Sequence, residues 1–220
     1  MCTYKNMKNT PAAGSLTKDL FSPAGSEHAD DIFRHIIAVT NRHLAARPLP
    51  QQIERVCGHH PKAVILREKD LPEKEYMALA REIMDICKAH QVPCILHTYV
   101  NAAVKLNCPA VHLPLPLLRE YSGHLGPTNG YTIGTSVHSV EDALEAERLG
   151  ASYVTAGHIY ATNCKKGIPP RGTEFLREVC QSISIPVYAI GGIKVDSRQI
   201  TEIMSCGAAG GCIMSGMMTL

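Results

Sequence analysis

The segment "GTSVHS" (134–139) holds two side chains that could move a proton together. Side chains alternate along an extended chain, so Ser136 and His138 share one face. An imidazole has an ordinary pKa near ~6.5, which lets His138 take a proton and return it near neutrality. Ser136 would supply a hydrogen bond beside it. A histidine in a strand also occurs as an ordinary core or surface group, but the place of His138 at the end of its run favours catalysis.

A second cluster closes the run "AGHIYATNCKKG" (156–167), with His158, Thr162, Cys164, Lys165 and Lys166. Paired lysines in a loop are ordinarily solvated. Beside an anion, Lys165 could instead close over it as a point charge. Cys164 is open to two readings, a thiol activated by the neighbouring lysines and a neutral thiol used for shape, and the latter is preferred. Two further runs end in small residues, "AIGGI" (189–193) and "MSG" (214–216). Glycines there can serve only to turn the chain. Two such ends in succession point further, to backbone N–H groups at Gly191, Gly192, Ser215 and Gly216 gathered around a phosphate.

The elements that must position these residues follow from hydrophobic patterning. Eight short apolar runs, at 35–40, 63–68, 93–98, 110–114, 132–137, 152–160, 186–192 and 210–216, alternate with helical patterns. Examples are 72–91, with Leu79, Ile83 and Ile86 near one face, and 139–150, with Ser139 as its cap and Gly150 as its stop. Such alternation predicts an α/β (β/α)8 TIM barrel, with chemistry at the carboxyl ends of the strands. The glycine-bearing ends fall on strands seven and eight, where this architecture binds phosphate. Arg67, Glu68 and Lys69 end strand two, and an ion-pair network at the barrel mouth is expected of them.

Residues 1–30, rich in Ser, Gly, Pro, Asn and Lys, are expected to form a flexible extension, and 31–220 the catalytic barrel. Only four residues follow Gly216, so the eighth outer helix is expected to be missing. Its place would then fall to the segment "SEHADDIF" (26–33) or to another subunit, the homodimer being preferred.

Composition narrows the function class. With 22 Lys and Arg against 20 Asp and Glu, the chain has no general field for nucleic acid or membrane. The nine cysteines form no CxxC pairs, and "CGHH" (57–60) has no partner pair, so no metal is expected and reduced thiols in the cytoplasm are.

Taken together, "ILREKD", "GTSVHSVEDALEAERLGASYV", "GHIYATNCKKG", "IPVYAIGGI" and "GAAGGCIMSG" resemble the thiamine phosphate synthase superfamily, over roughly residues 34–216. The resemblance is greater to its thiazole tautomerase (TenI-type) branch. Synthases of the superfamily carry patterns like "NDxxDLA" after strand three and "GVHLGQxD" around strand four, whose acids hold Mg²⁺ for a departing pyrophosphate. Here the corresponding stretches read "HTYVNAA" (97–103) and "AVHLPLPLL" (110–118), and no Asp or Glu lies between Asp85 and Glu120. A glutamine of the synthase pattern on strand two is replaced by Ile65. The synthase loop like "GPxxxTxTK" reads "GHIYATNCK", with His158 for Pro and Cys164 for the second Thr.

The tautomerase branch implies aromatisation of a carboxythiazole phosphate by proton transfer, with no cofactor and no metal. It assigns His138 as acid and base, with Ser136, His158, Lys165, Gly191, Gly192, Ser215 and Gly216 binding the thiazole phosphate. Two alternatives stay open: a synthase joining thiazole phosphate to a pyrimidine pyrophosphate, and a regulatory protein that only binds thiazole phosphate.

Overall fold

The computed structural model describes residues 32–123, 130–165 and 167–220. The expected extension 1–30 and Lys166 lie outside them. Eight strands run β1 (Ile36–Val39), β2 (Ala63–Leu66), β3 (Cys94–His97), β4 (Ala110–Pro114), β5 (Thr132–Val137), β6 (Tyr153–Gly157), β7 (Val187–Ile190) and β8 (Gly210–Ile213). Each pairs in parallel with the next, and β8 returns to β1 through Ile37↔Cys212, closing the barrel. The helices are α1 (Leu49–Cys57), α2 (Glu73–Ala89), α3 (Val100–Lys105), α4 (Leu115–Tyr121), α5 (Val140–Arg148), α6 (Gly172–Ser182), α7 (Ser197–Ser205) and α8 (Ser215–Met218). No helix among the described residues is long and apolar enough to cross a membrane.

The strands are apolar on both faces because a parallel barrel buries both. One set of side chains, including Ile37, Ile65, Ile95, Tyr153, Tyr188 and Cys212, fills the barrel. The alternate set packs outward against the helices. Tyr153 and Tyr188 meet edge to face at 5.9 Å across the interior. Gly134 is what admits the first of them, since a Cβ at that position would overlap the Tyr153 ring.

The local signal holds at the start of α5. Ser139 caps α5 by accepting from the Asp142 amide, as its sequence position suggests. The predicted face of α2 is rotated: Tyr76, Ala80, Ile83 and Cys87 are buried, while Leu79 and Ile86 are half-buried. The cause is Tyr76, whose hydroxyl donates to the Leu66 carbonyl and accepts from the His97 amide, bridging β2 and β3. Strand six also stops early, at Gly157 instead of 160. Ile159 stays buried, but as part of the loop that follows.

At the end of the barrel a short helix stands where none was expected. The single turn α8 buries Met217 and Met218 completely. Gln52 donates to the Met217 carbonyl at 2.8 Å and the Ala46 amide to the Met218 carbonyl at 2.9 Å, tying α8 to α1 and to the loop before it. Gly211 lets Ile193 and Ile203 lie close against β8. With Ile213 only 1% exposed, elements of the same chain cover this strand. Ile32 and Phe33, the described end of the segment 26–33, pack against the same core, and among the described residues β8 shows no exposed outer face. Four residues carry no periodicity, so the sequence could not announce this helix.

Candidate active site

Ser136 and His138 come to the carboxyl end of β5, as the alternation requires. His138 sits exposed at the mouth, its amide donating to Asp142 Oδ2 at 2.9 Å. Its Nδ1 lies 2.8 Å from the Gly157 carbonyl oxygen. A carbonyl only accepts, so Nδ1 carries the proton and, in the neutral ring, Nε2 is left as a base. The peptide joining Gly157 to His158 is cis.

Ser136 heads an internal chain of polar groups. Its Oγ lies 2.9 Å from His112 Nε2 and 3.0 Å from Thr155 Oγ1, and His112 Nδ1 lies 3.0 Å from the Tyr153 hydroxyl. The His97 ring stacks on His112 at 5.5 Å, with its Nδ1 2.6 Å from Thr98 Oγ1. Burial pushes His112 down to about 3, helped by the charges of Lys69 and Arg67. Burial likewise pushes His97 down to about 2, with His112, Lys69 and Arg67 adding to it. Both rings are neutral at physiological pH. His97, His112, Tyr153 and Thr155 escape a search of strand ends for charged groups. The signal was present in "AVHLP", where alternation puts His112 on the same face as Ala110.

The remaining candidates gather on the neighbouring strands, at the ends of β6, β7 and β8. Gly191 (φ 96°) and Gly192 (φ 73°) have left-handed backbones that favour glycine. A Cβ on the first would strike His158, and one on the other would approach the Ala161 carbonyl oxygen to 2.6 Å. The glycine pair therefore has a packing role whatever it binds. His158 is buried, with its Nε2 3.3 Å from the Ile168 carbonyl and its own carbonyl accepting from the Arg171 amide at 2.9 Å. Its ring is committed to the loop it starts. Lys165, half-buried, ends a 3-10 turn (Asn163–Lys165) in that loop. Ser215 and Gly216 open α8, where helix geometry leaves first-turn N–H groups without intrahelical acceptors. The structure thus divides the candidates into a β5–β6 group and a group at the ends of β6, β7 and β8.

At the end of β2 an ion-pair network is present, but of the expected Arg67, Glu68 and Lys69 only Glu68 is seen to join it, its partners being Arg42 and, through Arg42, Asp70. Glu68, buried, accepts from Thr40 Oγ1 at 2.6 Å, from the Arg42 amide at 3.1 Å and from Arg42 Nη1 at 3.2 Å. Arg42 reaches on to Asp70, which also meets His43. These contacts bear on Mg²⁺, a hard cation that takes carboxylates plus substrate oxygens. The ends of β3 and β4 offer His97, Thr98 and Pro114, and Glu68 is already engaged. Among the described residues no group of three acidic, His or Cys side chains could hold a metal ion. This donor set does not fit a Mg²⁺-pyrophosphate site.

A closed parallel barrel of eight strands defines a TIM-barrel protein, and the candidate groups lie at the carboxyl ends of its strands, where this architecture places its sites. Residues 36–217 match the family described as thiamine monophosphate synthase, and the chain belongs to that family. It is 32% identical over 186 residues to thiamine-phosphate synthase 2 of Streptococcus pneumoniae, covering 82% of this chain and 85% of the relative. Thiamine-phosphate synthase of Pyrococcus abyssi is 30% identical over 188 residues, covering 83% and 86%. Among solved structures, thiamine phosphate pyrophosphorylase from Pyrococcus furiosus superposes with a TM-score of 0.71 at 26% identity, covering 86% of this chain and 89% of that one. The N-acetylmannosamine-6-phosphate 2-epimerase from Clostridium perfringens, at 16% identity and a TM-score of 0.60, shares the fold. The named relatives are synthases, in line with the alternative reading of the sequence and not with its first.

Proposed function

We propose that this member of the family is a thiazole tautomerase, which aromatises a carboxythiazole phosphate by moving one proton. The observation that carries the reading is the His138 tautomer: Nδ1–H held by the Gly157 carbonyl, Nε2 free at the mouth. Nε2 removes the proton from the ring carbon that bears the carboxylate. The imidazolium keeps its Nδ1–H bond to Gly157, so that carbonyl stabilises the charged ring as well as orienting the neutral one. The same Nε2–H then returns the proton to the former exocyclic carbon, and the ring is aromatic. No electron leaves and no bond to the protein forms. Ser136 meets the carboxylate, while the amides at Gly191, Gly192, Ser215 and Gly216, with Lys165, hold the phosphate. A remote anchor of this kind converts binding energy into orientation at the reacting carbon.

The competing reading, a synthase, is favoured by the names of relatives at about one-third identity. Against it stands the donor set at the ends of β3 and β4. Two assays on one preparation separate them. The tautomerase assay follows aromatisation of the non-aromatic tautomer by ultraviolet absorbance. The synthase assay measures thiamine phosphate formed from pyrimidine pyrophosphate, thiazole phosphate and Mg²⁺. Turnover in the tautomerase assay and none in the synthase assay supports the tautomerase. Synthase-like rates of thiamine phosphate formation defeat it. Binding of thiazole phosphate without either reaction leaves the regulatory alternative.

A further inference from the structure

The internal chain behind Ser136 has a direction, and the direction says what Ser136 can bind. A serine hydroxyl has one hydrogen and two lone pairs. Two groups already point at this one: His112 Nε2 at 2.9 Å and Thr155 Oγ1, donating, at 3.0 Å. A neutral imidazole has one N–H and one bare nitrogen, so only one of the His112 nitrogens donates. The Tyr153 hydroxyl at Nδ1 decides which. A phenol is a far better donor than acceptor, its oxygen being conjugated with the ring, and a bare imidazole nitrogen is a strong acceptor. The proton order is therefore Tyr153 O–H to Nδ1, then Nε2–H to Ser136. Burial keeps His112 neutral, so the order is not scrambled by protonation.

We propose that His112, set by Tyr153, and Thr155 together make Ser136 a one-way donor, so that the site selects ligands that place a hydrogen-bond acceptor, a carboxylate, against it. Both lone pairs of Ser136 are occupied from inside the barrel, and its hydrogen is left for the mouth. His112 and Thr155 are positioning residues, since they act through Ser136. The carboxylate rests on the tautomerase reading; the direction of donation does not.

The test is an equilibrium titration by calorimetry with two probes, the aromatic carboxythiazole phosphate and the same compound lacking the carboxylate. The wild type should bind the carboxylated probe at least about tenfold more tightly, as a hydrogen bond to a charged group implies. His112→Leu and Thr155→Val should lower that preference severalfold and leave the affinity for the decarboxylated probe unchanged. His112→Gln should restore it, because a side-chain amide can accept from Tyr153 and donate to Ser136. If His112→Leu does not fold, Tyr153→Phe removes the proton that sets the order and should lower the preference in the same direction. A wild type without preference, or Thr155→Val and a folded His112 or Tyr153 variant that keep it in full, would overturn the proposal. A preference that depends on His112 in a protein without tautomerase turnover would sink the tautomerase reading and leave this one standing.

Discussion

Two polar networks occupy one barrel mouth, and they differ in how completely they are used. At β1 and β2, the carboxylate of Glu68 receives Thr40, the Arg42 amide and the Arg42 guanidinium, and Arg42 goes on to Asp70. Charge meets charge, and both oxygens of the buried Glu68 carboxylate are engaged. At β5 and β6 the network holds no ion pair and the chain of bonds ends open: Ser136 has a hydrogen, and His138 its Nε2, directed away from their protein partners. A buried polar network that is fully satisfied fixes structure, whereas one with an unused valence at its solvent end is equipped for binding. The two networks should therefore fail differently when cut.

The largest effect is expected on the open side. His138→Gln should lower tautomerisation by about 10²- to 10⁴-fold, the usual contribution of a general acid and base. Affinity for thiazole phosphate should stay within about tenfold, and the melting temperature should hardly move. Near-normal turnover would remove His138 from the mechanism and leave the comparison without its catalytic half. EDTA should leave the rate unchanged, because no step is assigned to a metal; a rate restored only by added Mg²⁺ would show that the donor set does support a cation.

The closed side should show the reverse. Glu68→Gln keeps the shape but leaves Arg42 and Thr40 facing a neutral amide, at a position whose side chain is 1% exposed. Loss of charge-assisted bonds at such a site costs about 2–3 kcal/mol. For a chain of this length that is roughly 5–10 °C in melting temperature. At a temperature where the variant is folded, kcat should be close to wild type. A variant with full stability and lost activity would make Glu68 part of the site and dissolve the distinction.

Much of this was legible beforehand, and the gaps have a physical pattern. The eight apolar runs gave all eight strands, because a barrel strand buried on both faces writes itself as a continuous apolar segment. Ser136, His138 and the glycine ends were found by asking what stands at strand ends. The His112 relay was not, since its members come from β4, β5 and β6 and meet only after the barrel closes. Tyr153 reads as a core aromatic in sequence, and only its neighbour across 41 positions turns its hydroxyl into a donor. The turn at 163–165 and α8 escaped notice because single turns have no period to detect.

The interior of the barrel also ties stability to pH. In the unfolded chain His97 and His112 would titrate near ~6.5, but the fold holds them neutral down to about 2 and about 3. Below ~6.5 the unfolded state binds protons that the folded state refuses, so stability rises with pH and is lost as pH falls from ~6.5 towards those values. Each histidine contributes up to about 1.4 kcal/mol per pH unit in that window. Glu145, held down by Arg119, and Glu147, held down by Ser184, act only below the ordinary carboxylate range, so pH 5 to 6.5 isolates the histidines. Denaturant melts at pH 7, 6 and 5 should show the fall, and His112→Gln should flatten it by about one histidine's share. An unchanged slope in that variant would place the protons elsewhere.

The smallest effect is expected at the outer edge of the closed network. Asp70 receives Arg42 at 2.7 and 2.5 Å and His43 at 2.9 Å, yet its side chain is 53% exposed. The Arg42 guanidinium and His43 hold its carboxyl well below the usual range. Water and salt screen an interaction at that exposure, and surface pairs of good geometry often contribute little. Asp70→Asn should lower the melting temperature by much less than Glu68→Gln, and raising NaCl from about 0.05 to about 0.5 M should erase most of that difference, the Debye length falling to a few ångströms. Glu68→Gln, cut where salt does not reach, should keep its deficit. The contrast requires the buried carboxylate to organise the network and the exposed one to decorate it. If the two variants lost equal stability, or responded alike to salt, Asp70 would be a full member of the buried cluster, and closure of that half of the mouth would rest on Arg42 bridging two equivalent acids.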